Sequence, residues 1–282
     1  MAEPSTGSEQ SGPVILTDVV DHVGTITLNR PDRRNALNGE LIGALDGAVQ
    51  QMAEDPDVRV VVLTGAAAEG RLGGFCSGGD IKSGGRGATG SEKGVPPNAL
   101  SGDLSRHDHH AAMRLHLMPK PTIAMIGGPA VGAGCSLAAA CDLRFASDDA
   151  VFSAGFLPNG LAGDYGGSFF WTRIGGTGLA RRLYLLNEKI GAPEALALGM
   201  VHAVVAPEQL RPYTDGVAHQ LVQAPAGALA LVKDNLNAAE DEVERRRWLF
   251  AHEAENQRTA GHALVERLAR RRGAESDRSS EG

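Results

Sequence analysis

Two glycine-dense segments constrain the fold of this chain most strongly, because each one follows a predicted buried strand and leads into a helix. They are 73–80 (GGFCSGGD) and 127–134 (GGPAVGAG). Glycine has no Cβ, so backbone N–H groups in such turns can approach a ligand closely, and the helix that follows adds the positive end of its dipole. Both segments therefore predict cradles for an anion or an oxyanion, although either one alone is also compatible with an ordinary tight turn.

Neither segment has the pattern of a common nucleotide-binding loop. No Gly-Lys-Ser/Thr follows either of them, as a phosphate-binding loop requires. Neither reads as the glycine triad of a dinucleotide site with its acidic residue at the expected spacing. The sequence thus gives no support to a mononucleotide or dinucleotide cofactor bound in this way.

The sequence around these turns alternates between strand and helix patterns. Residues 14–28 contain two β-branched runs around 21–24, which predicts a hairpin, and Asn38 suits the N-cap of a helix over 37–52. From Gly166 onward helices dominate. An α/β core over 13–206 and a helical region over 207–272 are therefore predicted. The further strands are predicted at 60–64, 122–126, 143–146 and 151–153, and the further helices at 101–117, 135–141, 168–174, 177–186, 192–198, 208–223, 227–239 and 241–271.

Composition excludes several classes of protein. The formal charge of -7 argues against binding to nucleic acid or to an anionic membrane surface. The chain has no apolar run long enough to span a bilayer, and its first residues do not resemble a signal peptide, so a cytoplasmic protein is expected. Residues 1–12 and 273–282 cannot bury apolar area and are predicted to be disordered, and 83–100 is predicted to be a surface loop that could act as a lid.

No metal site is predicted. The three cysteines do not have zinc-like spacing and cannot all pair within one chain, which fits a reducing compartment. A histidine cluster beside the predicted surface loop has no cysteine to complete it, and a solvated stretch is the simpler interpretation. The residues in question are Cys76, Cys135, Cys141, His107, His109, His110 and His116.

Several motifs resemble those of the enoyl-CoA hydratase/isomerase (crotonase) superfamily. They are ITLNRP (26–31) through NALN (35–38), GFCSGGDIK (74–82), and PKPTIA (119–124) through GAGC (132–135); CDLR (141–144) and 192–201 continue the match. The resemblance covers about 14–270 in the order of the family. It implies a crotonase-like spiral core of ββα turns followed by C-terminal helices that assemble a homotrimer or a dimer of trimers. It also implies a CoA thioester as substrate, with no separate cofactor.

The resemblance further implies where that thioester binds. The N–H groups of Gly79 and Ala133 correspond to the pair that donates to the thioester oxygen and so stabilises an enolate. The CoA path would be lined by the residues that follow Gly79, with Arg34 and Lys82 near phosphate or ribose; the alternative for these two cations is an exposed surface. The implied binding residues, beside Gly79, are Arg34, Ala36, Asp80, Ile81, Lys82, Ser136, Phe156 and Tyr165.

The chain departs from the family pattern at the acids that activate water in hydratases. Those positions hold Ser136 and Phe156, which have no useful basicity, so hydration by a glutamate pair is not supported. Asp164 resembles the aspartate of double-bond-shifting members and is the predicted catalytic base, with helix N-capping as its alternative. Tyr165 is interpreted either as a substrate contact or as packing at the subunit interface, and His116 is a second candidate for proton transfer.

These features favour an acyl-CoA enzyme that shifts a double bond. Hydration through a different placement of the water stays possible for such an enzyme, and two alternatives of another kind also stay open from the sequence. One is a hydrolase that cleaves a C–C bond of a cyclic ketone or of a ring-derived CoA ester, and the other is a CoA-binding scaffold without catalysis. Retention of both glycine segments together with Asp164 favours the isomerase over the scaffold, because a scaffold needs neither feature.

Overall fold

The computed structural model of the 282-residue chain describes residues 12–67, 73–80, 110–159 and 161–240. Several sequence predictions lie outside these residues. They concern the predicted disorder at 1–11 and the predicted surface loop at 83–100, as well as the C-terminal helix and tail within 241–282. The site candidates Ile81 and Lys82, the histidines His107 and His109, and the side chain of His110 also lie outside the described residues.

The chain opens with the predicted hairpin. Strand β1 (Ile15–Val20) pairs antiparallel with β2 (Val23–Leu28). Asp21 and His22 between them both have positive φ, 48° and 67°. Two consecutive left-handed residues produce the turn whose twist matches that of the flanking strands. The hairpin prediction is therefore confirmed.

The remaining strands, with the helices that precede them as far as β6, are α1 (Gly39–Glu54), β3 (Val60–Gly65), α2 (His110–Leu117), β4 (Thr122–Ile126), β5 (Ala130–Val131), α3 (Ala133–Ala140), β6 (Leu143–Ser147), β7 (Val151–Ser153), β8 (Ile190–Gly191) and β9 (Ala203–Val205). The central sheet has six strands in the order β1-β2-β3-β4-β6-β9, and every neighbour pair from β2 onward is parallel. Parallel neighbours require crossover connections, which are mainly helical here. A second sheet of three short strands has the order β5-β7-β8.

Both faces of the sheet are buried, and β3 shows why its sequence is continuously apolar. Val61 and Leu63 belong to the larger core cluster, which includes the buried side of α1, α2 and α3. Val60 and Val62 belong to a second cluster on the other face, where Leu210 of the helix 207–223 packs. A strand covered on both sides has no polar face to display. The mixed α/β architecture predicted from the sequence is confirmed.

The C-terminal half is mainly helical, as predicted. Its helices are α4 (Gly167–Arg181), α5 (Ala192–Ala197), α6 (Pro207–Gln223) and α7 (Ala226–Glu240), with a π-helical turn at Arg182–Leu186. The helix predicted at 168–174 and the first part of the helix predicted at 177–186 both lie in α4, where Gly176, with φ of 76°, marks the break between them. Residues 182–186 of the second prediction form the π-helical turn. The division into a core and a separate helical region stays a prediction, since α6 packs directly on the sheet.

Two kinds of feature are absent from the part of the chain that the structure describes. None of its helices combines the length and the apolar character needed to cross a membrane. Its His, Cys, Asp and Glu side chains form no group of three or more that could hold a metal ion.

Candidate active site

The first glycine segment is bonded to the turn that follows β2. Leu37 N–H donates to the Gly78 carbonyl at 2.8 Å, and Asp80 N–H donates to the Leu37 carbonyl at 2.9 Å. The backbone of Leu37 is thus hydrogen-bonded to the two residues that flank Gly79, and Leu37 and Gly79 form a parallel β-bridge. In such a bridge the N–H of the intervening residue points to the opposite side. The Gly79 N–H therefore points away from the turn that holds its loop.

The second glycine segment lies directly against the first. Cys76 N–H donates to the Pro129 carbonyl at 3.2 Å, and Val131 N–H donates to the Cys76 carbonyl at 2.9 Å. Gly78 has φ of 89°, and a Cβ at this position would lie 3.0 Å from the Val131 carbonyl oxygen and 3.6 Å from the Ala133 nitrogen. Only glycine combines this backbone angle with so close an approach. The glycines thus allow two loops far apart in sequence to meet.

Ala133 supplies the first N–H of α3. Gly132, with φ of 58°, forms the N-cap of the helix, and no side chain caps it. The first N–H groups of a helix have no partner within the helix. Within the described residues, neither the Ala133 N–H nor the Gly79 N–H donates to another backbone group. The structure therefore brings the two predicted donors into adjacent loops with their N–H groups available, and their binding of a thioester oxygen stays a prediction.

A buried ion pair fixes the first loop. Arg30 Nη2 lies 3.0 Å from Asp80 Oδ2, with the two side chains only 8% and 6% exposed, and Arg30 also donates to the Ala36 carbonyl. The polar groups of the predicted ligand residues Asp80 and Ala36 are thus engaged with Arg30, which supports the loop. Asn35 accepts from Arg30 N–H at 2.9 Å and donates to the Gly74 carbonyl at 2.7 Å. Sequence reasoning quoted Arg30 and Asn35 as motif residues but gave them no role.

The Arg34 side chain is exposed, which is compatible with both of its interpretations. Its backbone has φ of 53°, and its carbonyl accepts a hydrogen bond from Ser77 N–H at 3.1 Å. Arg34 therefore borders the Gly79 loop through its main chain. A phosphate or ribose contact by its guanidinium stays a prediction.

Asp164 lies in a loop with an unusual backbone, immediately before α4. Gly163, Tyr165 and Gly166 have positive φ of 129°, 50° and 68°. Such a conformation is uncommon for tyrosine and concentrates at functional sites. Gly166 is the N-cap of α4, with no side-chain cap, and Asp164 contributes only its carbonyl, which accepts from Gly167 N–H at 3.1 Å. The alternative of N-capping by the Asp164 carboxylate is therefore wrong.

The Asp164 carboxyl is partly removed from solvent. Among the described residues, its buried Oδ1 has no hydrogen-bond partner. Burial raises the pKa of Asp164 from 3.8 to about 6. The charge of Asp164 also contributes to raising the pKa of Cys76, although burial is the main cause there, so the carboxylate lies within electrostatic reach of the first glycine loop. A carboxylate with a pKa near the working pH can both take up and return a proton.

The two positions that carry acids in hydratases are buried here, and they hold an uncharged polar residue, Ser136, and an apolar residue, Phe156. Ser136 is 1% exposed and Phe156 is 6% exposed. The Phe156 ring stacks on Tyr184, with ring centroids 5.9 Å apart and an angle of 21° between the planes. Sequence reasoning missed Tyr184, because it lies in a π-helical turn that a helical pattern does not reveal. Such turns are frequent at functional sites.

The structure places two further candidates, Tyr165 and His116, at buried and half-buried positions respectively. Tyr165 is 4% exposed and belongs to the apolar core cluster of the chain itself, so its ring packs within the subunit, and both interpretations of Tyr165 stay predictions. His116 packs edge-on against Phe170 with ring centroids 5.1 Å apart. It lines a cavity of about 510 Å³ beside Ala139 and Cys141, near the end of α3 opposite to Ala133. Proton transfer by His116 stays a prediction.

Comparisons with known proteins agree with this arrangement. The sequence model described as enoyl-CoA hydratase/isomerase matches residues 19–268. The chain is 35% identical over 230 residues to 1,2-epoxyphenylacetyl-CoA isomerase of Escherichia coli (strain K12), covering 80% of this chain and 82% of that protein. It is 32% identical over 223 residues to the short-chain-enoyl-CoA hydratase of Clostridium acetobutylicum, covering 79% and 80%.

A solved structure extends the agreement to three dimensions. The crystal structure of an enoyl-CoA hydratase from Mycobacterium smegmatis matches with a TM-score of 0.73 and 28% identity, covering 88% of this chain and 91% of that one. The α/β fold and the two adjacent glycine loops, one of which starts α3, thus occur together with a family match over most of the sequence. The chain belongs to the enoyl-CoA hydratase/isomerase family and is an acyl-CoA-processing enzyme.

Proposed function

We propose that this enzyme isomerises a double bond in an acyl-CoA thioester, with Asp164 as the base that moves the proton. One observation carries the proposal. Among the described residues, the Asp164 carboxyl has a raised pKa and one oxygen without a hydrogen-bond partner, and it lies within electrostatic reach of the first glycine loop, while the two positions of the hydratase glutamates hold Ser136 and Phe156. One carboxylate suffices for isomerisation, whereas the paired glutamates of the hydratases are missing.

The proposed reaction needs no group that the chain lacks. Asp164 removes a proton from a carbon that is acidified by the thioester, and the electron pair moves onto the carbonyl oxygen to give an enolate or dienolate. The N–H groups of Gly79 and Ala133 stabilise the charge on that oxygen. Asp164 then returns the proton to another carbon of the conjugated system, so the double bond has moved and the carboxylate is restored. Loss of one such N–H donor typically costs about 3 kcal/mol of transition-state stabilisation.

The relatives support an acyl-CoA substrate but do not choose between reactions. One is named an isomerase and another a hydratase. Ser136 and Phe156 of this chain favour isomerisation over hydration, since hydration requires a positioned water and an acid–base pair, and these two residues replace that pair. We also propose, as for the family in general, that the chain assembles as a homotrimer or a dimer of trimers, which light scattering on the purified protein tests.

A scaffold without catalysis is disfavoured by the energetics of Asp164. Burying a carboxyl without a hydrogen bond to one of its oxygens costs free energy. A protein that only binds CoA gains nothing from this carboxyl or from the left-handed loop that holds it. Hydrolysis of a C–C bond is the remaining alternative, and it would also use Asp164.

The test is to incubate the full-length protein separately with 2-enoyl-, 3-enoyl- and dienoyl-CoA thioesters and to follow absorbance and product mass. We expect interconversion of the 3-enoyl and 2-enoyl forms without a change in mass. Asp164→Asn should lower kcat at least a hundredfold, the usual scale of general acid–base catalysis, and keep CoA binding.

Three outcomes would contradict the proposal. Full activity in Asp164→Asn would remove the assigned base. A product heavier by one water would show hydration instead. Tight CoA binding without turnover of any thioester would indicate a scaffold.

A further inference from the structure

A chain of hydrogen bonds joins the guanidinium of Arg30 to the Gly79 N–H through two peptide groups. Arg30 Nη1 donates to the Ala36 carbonyl, and the peptide group that contains this carbonyl also contains the Leu37 N–H. Leu37 N–H donates to the Gly78 carbonyl at 2.8 Å, and the peptide group of that carbonyl contains the Gly79 N–H. We call this arrangement of five residues the hydrogen-bond chain.

The hydrogen-bond chain fixes the direction in which the Gly79 N–H points. A trans peptide group is planar, so its C=O and its N–H point in opposite directions. The Gly78 carbonyl points to Leu37, and the Gly79 N–H therefore points away from Leu37. In the same way, the Leu37 N–H is oriented by the Ala36 carbonyl that Arg30 holds. Rotation of either peptide group would break a hydrogen bond.

Arg30 is itself held firmly at the start of the hydrogen-bond chain. Its N–H donates to Asn35 Oδ1 at 2.9 Å, and its carbonyl accepts from the N–H groups of Arg33 and Asn35 at 3.0 and 2.8 Å. The residue is 6% exposed, and its Nη2 lies 3.0 Å from Asp80 Oδ2. Because Asp80 directly follows Gly79, the guanidinium is tied to this loop directly as well as through the hydrogen-bond chain.

The positive charge of Arg30 also makes the Gly79 N–H a stronger donor. A cation at a carbonyl oxygen draws electron density toward that oxygen, and peptide resonance then leaves the N–H of the same group more positive. Each hydrogen bond in such a chain strengthens the next one by about 10–30%. The guanidinium is buried, so its field is weakly screened. Asp80 opposes this field, but it is bonded to Nη2, whereas the hydrogen-bond chain begins at Nη1.

We propose that Arg30 is a positioning residue that orients the Gly79 N–H toward the thioester oxygen and strengthens it as a donor. The inference rests on the proposed function in one respect, because it takes Gly79 as a donor to that oxygen. It does not require a double bond to move. The effect of Arg30 can therefore be measured on a saturated thioester, which an isomerase does not convert.

The test is infrared spectroscopy of hexanoyl-CoA, isotope-labelled at its carbonyl carbon and bound at saturation to the full-length protein, with mass spectrometry to verify that it stays unchanged. Hydrogen bonds to a carbonyl lower its stretching frequency, so wild-type protein should lower the frequency below its value in water. Arg30→Met removes the charge at similar length and should lose at least about a fifth of this shift. Arg30→Lys keeps a cation and should retain more of the shift than Arg30→Met.

Asp80→Asn separates polarisation from simple bracing of the loop, because it breaks the same ion pair as Arg30→Met but leaves the cation. Asparagine can still accept from Nη2, and the field of Arg30 is then unopposed, so the wild-type shift should be kept or increased. Equal losses of the shift in Asp80→Asn and Arg30→Met would overturn the inference. Should the unpaired cation prevent Asp80→Asn from folding, as urea denaturation would show, a shift in Arg30→Lys no larger than that in Arg30→Met would overturn it as well.

Turnover provides a second measurement. On a thioester that the wild type isomerises, Arg30→Met should lower kcat at least about fivefold and change KM less than about twofold, since the charge on the oxygen develops in the transition state. Arg211→Met serves as the control, because Arg211 is an exposed arginine of α6 that also has an acidic neighbour, Asp215 at 3.7 Å. This variant should keep the wild-type shift and kcat.

The outcomes for Arg30 and for the reaction can be told apart. A wild-type shift that Arg30→Met retains in full would overturn the inference even in a protein with isomerase activity. The expected shifts in a protein that isomerises no thioester would uphold the role of Arg30 and contradict the proposed reaction instead.

Discussion

Replacing Asp164 by asparagine should make the protein more stable at neutral pH while it removes the proposed activity. Burial raises the pKa of Asp164 from 3.8 to about 6. The folded chain therefore holds the proton more tightly than the unfolded chain does. By linkage, the contribution of this carboxyl to stability is fully present below pH 3.8 and is lost as the pH rises through about 6. Asparagine has nearly the same shape and never ionises.

The magnitude follows from the two pKa values. Each tenfold change in proton affinity corresponds to about 1.4 kcal/mol, so the ionised carboxylate costs the fold at most about 3 kcal/mol. Asp164 is only partly buried, and solvent screening reduces the figure, so we expect about 1–2 kcal/mol. Asp164→Asn should exceed the wild type in free energy of unfolding by this amount at pH 8.

The assay is urea denaturation followed by tryptophan fluorescence at several pH values between 4 and 8. The stability difference should shrink as the pH falls through about 6 and become small near pH 4. Asp149→Asn is a matched control, because Asp149 is exposed and its replacement should change stability little at any pH. A variant less stable than the wild type at pH 8, or a difference independent of pH, would refute the assignment of a destabilising buried carboxylate.

Two further predictions concern the same loops. The kcat/KM of the proposed isomerisation should rise with pH through about 6, because Asp164 must be ionised to accept a proton, and a profile flat between pH 5 and 7 would exclude Asp164 as the base. Gly78→Ala should lower kcat at least tenfold and destabilise the fold by about 1–3 kcal/mol, since position 78 has φ of 89° and little space for a Cβ. Its control, Gly216→Ala in the middle of α6, meets nothing within 4 Å and should stabilise the fold by up to about 1 kcal/mol, as denaturation and activity assays on both variants would show.

The sequence predicts elements of this fold well where local pattern decides them. Asn38 illustrates this: its side chain accepts a hydrogen bond from Leu41 N–H at 2.9 Å, as expected for the N-cap of α1. The apolar run of β3 likewise identifies a strand buried on both faces. The glycine segments are also visible, because positive φ and close approach leave little choice of residue at Gly78 and Gly132.

The sequence did not predict the contacts between residues that are far apart along the chain. The Arg30–Asp80 pair joins residues fifty positions apart, and each residue alone resembles an ordinary surface charge. Tyr184 lies in a π-helical turn, and its hydroxyl and that of Ser136 both lie close to Gly167. The role of Asp164 was open to N-capping until the structure showed Gly166 at the cap. Burial and pairing of this kind depend on packing, which no local pattern encodes.

The loop that carries Asp164 combines two unfavourable features, a buried carboxyl and a left-handed tyrosine. Neither is needed to start α4, whose N-cap is Gly166. Packing beyond the loop offsets them, because Phe170 and Trp171 on α4 are 5% and 1% exposed and the Trp171 ring meets Phe152 edge-on at 6.5 Å. A helix anchored so firmly can hold a strained loop in a single conformation. The stability that Asp164→Asn is expected to gain is then, under the proposed function, the free energy that the wild-type fold gives up to keep the proposed base near the proposed oxyanion donors.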